Sequence, residues 1–303
     1  MIGSEVRDAA VRSPVPGADP SAVLALIHTI ESLPPSATGA LVFGPPARPL
    51  GLILLENGLV CWAGAEPMSG RLGELIRARL DPGANPSELD TMIRKCRADA
   101  SSIGDALVSG GLLSSDGLRD ALRQHTAEAV LALAGRYPAG PGGERARNEE
   151  PPVWMARAKP FGARFTFSSV ELLALAGAAW APGPADEARG EMETMLRHGG
   201  FGVAFAQVAG APGLVPIGEV QASKLTLDEA VELGAWGARA VREDGVVRGG
   251  VPRLVAALSP KGDALVAWLT GAVIYVVICP SPSSLAHVLG KRARAPSEDR
   301  SGS

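Results

Sequence analysis

The sequence predicts an α+β protein of two domains, the C-terminal one a five-stranded antiparallel sheet with helices and the N-terminal one a mixture of short strands and helices. Three observations predict it. A length of 303 residues, 46% of them hydrophobic and 20% charged, is enough for two cores. Short apolar runs bounded by turn residues alternate with longer segments of helical period in both halves. Between the halves, Ala181-Pro182-Gly183-Pro184-Ala185-Asp186-Glu187 is the best break in the pattern.

In the first domain, a helix over 21–33 follows a serine cap, with Val23, Leu26, Ile27 and Ile30 on one face and Pro34-Pro35 as its stop. Strands follow over 39–43, 51–55 and 59–63, and Asn57-Gly58 between the last two is a hairpin signal because both residues tolerate positive φ. Helices are expected over 69–80, 87–98, 102–108 and 115–133, the last with Leu118, Leu122, Ala129 and Leu133 on one side. Residues 136–152 combine Pro, Gly, Arg and Glu without a period and read as an exposed excursion. A returning strand over 161–167 and a short helix over 170–175 complete this half.

In the second domain, a helix over 186–198 ends at Gly199-Gly200. The strand over 201–208 alternates Phe201, Val203 and Phe205 with Gly202, Ala204 and Ala206, so one sheet face is small enough for a helix to approach closely. A strand over 214–220, a helix over 225–243 and an antiparallel meander of strands over 253–258, 264–269 and 272–278 follow, with a last helix over 283–291. The divisions read as a disordered tail over 1–20, a first domain over 21–177 with a flexible excursion at 136–152, a linker over 178–187, a second domain over 188–292 and a tail over 293–303.

Composition narrows the function classes. A net charge of −3 gives no global drive toward nucleic acid or anionic lipid. The run 264–279 is broken by Thr270-Gly271 and falls short of the roughly 20 residues of a bilayer span, so no membrane insertion is expected. Residues 1–20 carry Glu5, Arg7, Asp8 and Arg12 and no apolar targeting core. Cys61, Cys96 and Cys279, odd in number and far apart, read as reduced thiols of a cytoplasmic protein. His28, His125, His198 and His287 lie in different helices with no metal-ligand spacing. Nucleophile elbows, phosphate loops and dinucleotide fingerprints are absent, and Gly199-Gly200-Phe201-Gly202 leads into a strand rather than a helix. The expectation is a non-enzymatic protein with no catalytic residue, no metal and no cofactor.

The order helix, two strands, helix, three strands, helix, with Pro280-Ser281-Pro282-Ser283-Ser284 leading into the last helix, is similar to the roadblock/dynein light chain family over about 186–292. That resemblance implies a dimeric platform that binds or regulates a small Ras-like GTPase. The first half resembles the PATAN-type regulatory domains of bacteria through Asn57-Gly58-Leu59-Val60-Cys61-Trp62-Ala63, through Gly70-Arg71-Leu72-Gly73-Glu74-Leu75 and through Gly162-Ala163-Arg164-Phe165-Thr166-Phe167. Within it, residues 102–113 with Leu118, Leu122 and His125 resemble the helical repeat of cyclic-dinucleotide-binding domains. Ser102 stands where that repeat has arginine and His125 where it has glutamine, so the segment reads as a helical packing module.

The helix over 225–243 is the most informative element. At about 100° per residue, Asp228, Glu229, Glu232, Arg239, Arg242 and Glu243 share one polar stripe, which leaves an apolar arc of roughly 220°. One sheet needs about 100°, so a second helix or the first domain would cover the excess. Leu233, Trp236, Gly237 and Ala240 are the expected dimer contact, with Gly234 and Gly237 explained by close helix approach. Glu229, Glu232, Arg239 and Arg242 are either a partner-docking surface or a solvated face with internal ion pairs. The function expected is a cytoplasmic, homodimeric signalling adaptor or scaffold; the rival is a sensor binding a nucleotide or small signal through the first domain.

Overall fold

The computed structural model describes residues 18–45, 48–68, 70–99, 101–136, 151–196, 200–211, 213–220, 226–248, 254–258 and 262–294. Of the expected tails at 1–20 and 293–303, residues 1–17 and 295–303 lie outside these residues, as does nearly all of the expected excursion; Pro20 instead begins a helix, and residues 293–294 continue one. The chain is α+β and divides into two compact units, Met1–Phe167 and Ser168–Ser303.

Unit 1 begins with α1 (Pro20–Glu31), whose first turn is capped by the Asp19 carboxylate accepting from the Ser21 N–H at 3.2 Å. Strands β1 (Gly39–Phe43), β2 (Gly51–Glu56) and β3 (Leu59–Ala65) form an antiparallel sheet. Asn57 at φ 52° and Gly58 at φ 76° make the β2–β3 turn, as their positive-φ tolerance predicts. Four helices follow, α2 (Arg71–Arg77), α3 (Pro86–Ala98), α4 (Ile103–Ser109) and α5 (Ser115–Ala134). Side chains of Asn85, Ser102 and Ser114 cap the last three. Leu75, Ile76, Leu89, Leu107, Leu113 and Leu118 make their shared core.

The returning strand differs from the expectation. β4 (Val153–Ala156) pairs with β1, and the sheet order is β3-β2-β1-β4. Of the residues 161–167, only Phe167 joins the sheet, through a bridge to Val60. Pro160 and Gly162 at φ 72° break an extended run there, and the Arg157 guanidinium caps the Phe161 ring instead.

Unit 2 opens with α6 (Ser169–Trp180), started by a capping box in which the Ser168 N–H donates to Glu171 at 3.0 Å and the Glu171 N–H to Ser168 Oγ at 3.2 Å. α7 (Pro182–Met195) follows after Ala181 alone. The linker expected over 178–187 is therefore mostly helix. Proline is accommodated in the first turn of a helix, where its missing N–H has no partner to lose. The carbonyl of Pro216 lies against Gly177, which packs α6 on the unit 2 sheet and moves the division to Ser168.

That sheet has the order β6-β5-β9-β8-β7, all antiparallel, from β5 (Phe201–Gln207), β6 (Leu214–Val220), β7 (Val255–Leu258), β8 (Ala264–Thr270) and β9 (Val273–Cys279). Its small face receives α7, where Met192 fills the space a side chain at Gly202 would need. The bulky face, with Val203, Phe205, Ala267, Ile274 and Val276, receives α8 (Leu227–Arg248). This helix runs on through Asp244 and Gly245, where the sequence predicts a turn; one interior glycine weakens a helix by only about 1 kcal/mol. α9 (Pro282–Arg294) closes the unit.

Candidate functional site

Helix α8 carries all the residues expected at the dimer contact and the partner-docking surface, and the sheet sorts them. Ala230, Gly234, Gly237 and Val241 are buried on one side, at the i, i+4, i+7, i+11 spacing of a helix lying on a sheet. A Cβ on Gly237 would stand 2.6 Å from Val276 Cγ2, and one on Gly234 would stand 3.0 Å from the Phe205 ring. Both glycines thus permit close approach to the protein's own sheet. This corrects the expectation that they face a second helix, because the bulky strand residues beneath already take up the room. Leu233 and Trp236 are half-buried and pack at the margin of the same core, and Ala240 is also half-buried.

The charged stripe is solvent-facing at Glu229, Glu232 and Arg239, while the Arg242 side chain lies outside the described residues. Glu229 also caps the helix. Its carboxylate accepts from the Thr226 N–H at 2.9 Å while its own N–H donates to Thr226 Oγ1 at 3.3 Å. The Thr-x-x-Glu spacing of this capping box is visible in the sequence. Val231 is 47% exposed on the opposite flank.

Beside α8, β7 ends the sheet with no further described strand on its outer edge. Its exposed residues include Leu258, 79% exposed, so the last described strand of the sheet and an exposed apolar side chain occur together. At the other end of the sheet, β6 packs against α6 and α7.

On the small face, a mostly buried polar group joins three elements. Glu191 Oε1 accepts from Trp268 Nε1 at 2.9 Å and from Arg292 Nη1 at 2.6 Å. Trp268 stacks on Tyr275 at 5.0 Å, and the Arg292 guanidinium lies 5.3 Å from the Trp268 ring centre. Burial, then the Glu191 charge and hydrogen bond, push the Tyr275 hydroxyl well above its usual range. The arrangement ties α9 to α7 and the sheet.

Unit 1 holds a second polar group on α5. Arg71 grips Glu128 with two hydrogen bonds, 2.6 Å from Nε and 2.8 Å from Nη2, and Arg79 Nη2 donates to Gln124 at 2.5 Å. Gln124 in turn donates to Glu128 at 3.0 Å. The Glu128 bonds raise the Arg71 pKa, whereas burial lowers that of Arg79. His125, 5% exposed and 5.9 Å from Trp62, is held neutral chiefly by burial, and its Nδ1 meets no hydrogen-bonding partner among the described residues. Apart from the Gln124–Glu128 spacing of one helical turn, no local signal in the sequence links these residues.

Cys61, Cys96 and Cys279 are free and buried, and burial with the Glu56 charge pushes the Cys61 thiol up to about 11, away from reactive thiolate chemistry. Among the described residues there is no cluster of metal-binding side chains and no helix long and apolar enough to cross a membrane. His198 lies outside the described residues, and His287 Nε2 meets the Thr194 carbonyl at 3.0 Å. No protein-family model, curated protein or solved structure matches the chain.

Proposed function

We propose that this chain is a non-enzymatic adaptor whose unit 2 is a dimerisation platform of the roadblock kind and whose unit 1 is a PATAN-like partner-sensing domain acting in the cytoplasm. The observation that carries this reading is that β7, the last described strand of the sheet, lies against α8, whose Leu233, Trp236 and Ala240 are half-buried. Pairing β7 with β7 of a second copy would continue the antiparallel sheet and bring the two α8 helices side by side, covering Leu233, Trp236 and Ala240. The sheet order, with a helix between the second and third strands of the unit, supports the same reading.

A Ras-like GTPase is the partner class proposed for the exposed stripe at Glu229, Glu232 and Arg239. Isothermal titration of the full chain with purified Ras-like GTPases in both nucleotide states tests this. Saturable binding that the double variant Glu232→Lys/Arg239→Glu weakens supports the docking role. Binding that ignores the double variant returns the stripe to a solvated face.

The ligand-sensor reading of unit 1 gains less support. Arg71 and Arg79, the cations of the polar group on α5, are already engaged by Glu128 and Gln124, so that group offers no free guanidinium to a phosphate.

A further inference from the structure

The two faces of the unit 1 sheet differ in a way that the core does not require. Leu41, Phe43, Ile53 and Leu55 point to one face and are at most 2% exposed. The residues between them point to the other face. Cross-strand pairing aligns Met155, Ala40, Leu54 and Trp62 in one row there, and Val153, Val42, Leu52 and Gly64 in the next. Most of these side chains are half-buried, Trp62 with its ring 5.9 Å from that of His125 on α5, while Val153 is 45% and Met155 55% exposed. An antiparallel sheet with one solvated face normally carries polar residues on it. Neither row holds one.

We propose that this outer face docks a short amphipathic helix bearing acidic residues beside its apolar stripe. The proposal deepens the partner-sensing role given to unit 1 and does not depend on dimerisation through unit 2. Size selects a helix over a second copy. Four strands at about 4.8 Å spacing make a strip about 14 Å long, and two rows along the strands make it about 7 Å wide. Three turns of helix, about 16 Å long and 10 Å across, match that strip. A stable protein dimer buries about 800 Å² on each partner, several times this area.

Charge selects the acidic partner. Arg157 continues the face beyond Met155, its N–H still bonded to the Thr38 carbonyl at 2.8 Å, and its guanidinium rests on the Phe161 ring 4.5 Å away. Exposed Lys159 follows two residues later. The acidic side chains nearest the strand ends are already engaged: Glu56 accepts from the Ala163 N–H at 3.1 Å, and Glu66 faces Arg48 at 3.8 Å. An apolar strip with a basic end is the complement of an amphipathic helix with a flanking acidic cluster.

The test is fluorescence anisotropy of the full chain with a labelled, helix-stapled peptide of about 12 residues, about 18 Å long, having a leucine stripe flanked by glutamates. A second peptide carries lysines in place of the glutamates. The expected result is saturable one-to-one binding of the glutamate peptide, weakened about tenfold or more in Met155→Gln, with Arg157→Glu reversing the preference between the two peptides. Both substitutions are at exposed positions, and unchanged thermal unfolding verifies that the variants are folded. Absence of saturable binding, or binding insensitive to both variants, overturns the proposal. So does capture by phosphatidylserine vesicles that Met155→Gln weakens, without peptide binding, which assigns the face to a lipid surface, or a Met155→Gln variant of lower assembly mass, which assigns it to a second copy. A monomeric chain that binds the peptide refutes the unit 2 platform alone, and a dimer that binds no peptide refutes this proposal alone.

Discussion

Gly237 of α8 lies so close over Val276 of β9 that a Cβ would stand 2.6 Å from the valine Cγ2. Alanine gains about 1 kcal/mol in helix propensity, but overpacking costs about 1–3 kcal/mol, and here the contact is with a fully buried strand residue. Gly237→Ala should therefore lower the thermal midpoint. Gly190→Ala is the control, since Gly190 sits in α7 with open space where its Cβ would go; that variant should be neutral or stabilising. Equal behaviour of the two variants in scanning calorimetry would contradict the packing described.

The glycine pair also shows what local pattern can and cannot convey. Strand alternation at Phe201–Gln207 and the Asn57-Gly58 turn are local, and the structure follows them. The excess apolar arc of α8 is equally visible, yet periodicity cannot say which neighbour covers an arc. The sheet takes Gly234 and Gly237, leaving Leu233 and Trp236 at the margin. β4 escapes a sequence reading because four residues after Pro151-Pro152 carry little signal until β1 pairs with them. Glu191 and Arg292 meet although 101 positions apart in the sequence, a relation that only the folded sheet creates.

The Glu191–Arg292 pair is mostly withdrawn from water, with side-chain exposures of 19% and 16%. Removing one partner leaves the other charge unpaired and mostly withdrawn from water, a loss of about 1–3 kcal/mol. Arg292→Met should destabilise unit 2 strongly, and the double variant Glu191→Gln/Arg292→Met should recover part of the loss. Urea unfolding followed by tryptophan fluorescence measures both. A single variant as stable as wild type would contradict the buried pairing.

His125 makes unit 1 sensitive to acid. Burial places its folded pKa below the ordinary 6.5, with Glu128 opposing that shift and Arg71 reinforcing it. The neutral ring is therefore the form that the fold favours, and the stability this provides is present above pH 6.5 and lost as pH falls through the lower folded value. The urea midpoint of unit 1 should decline on acidification below that point, and His125→Gln should flatten the decline. An identical pH profile in wild type and variant would remove His125 from the account.

Sedimentation velocity on the full chain across the micromolar range tests the platform most directly, with Ala256→Lys/Leu258→Lys as the comparison. Both substitutions lie at exposed positions on β7, with Leu258 79% exposed, so they leave the fold intact while placing charge along the edge that would pair. The account predicts a wild-type dimer and a monomeric variant with unchanged thermal unfolding. A wild-type monomer throughout the range, or a variant that dimerises as well as wild type, would contradict it.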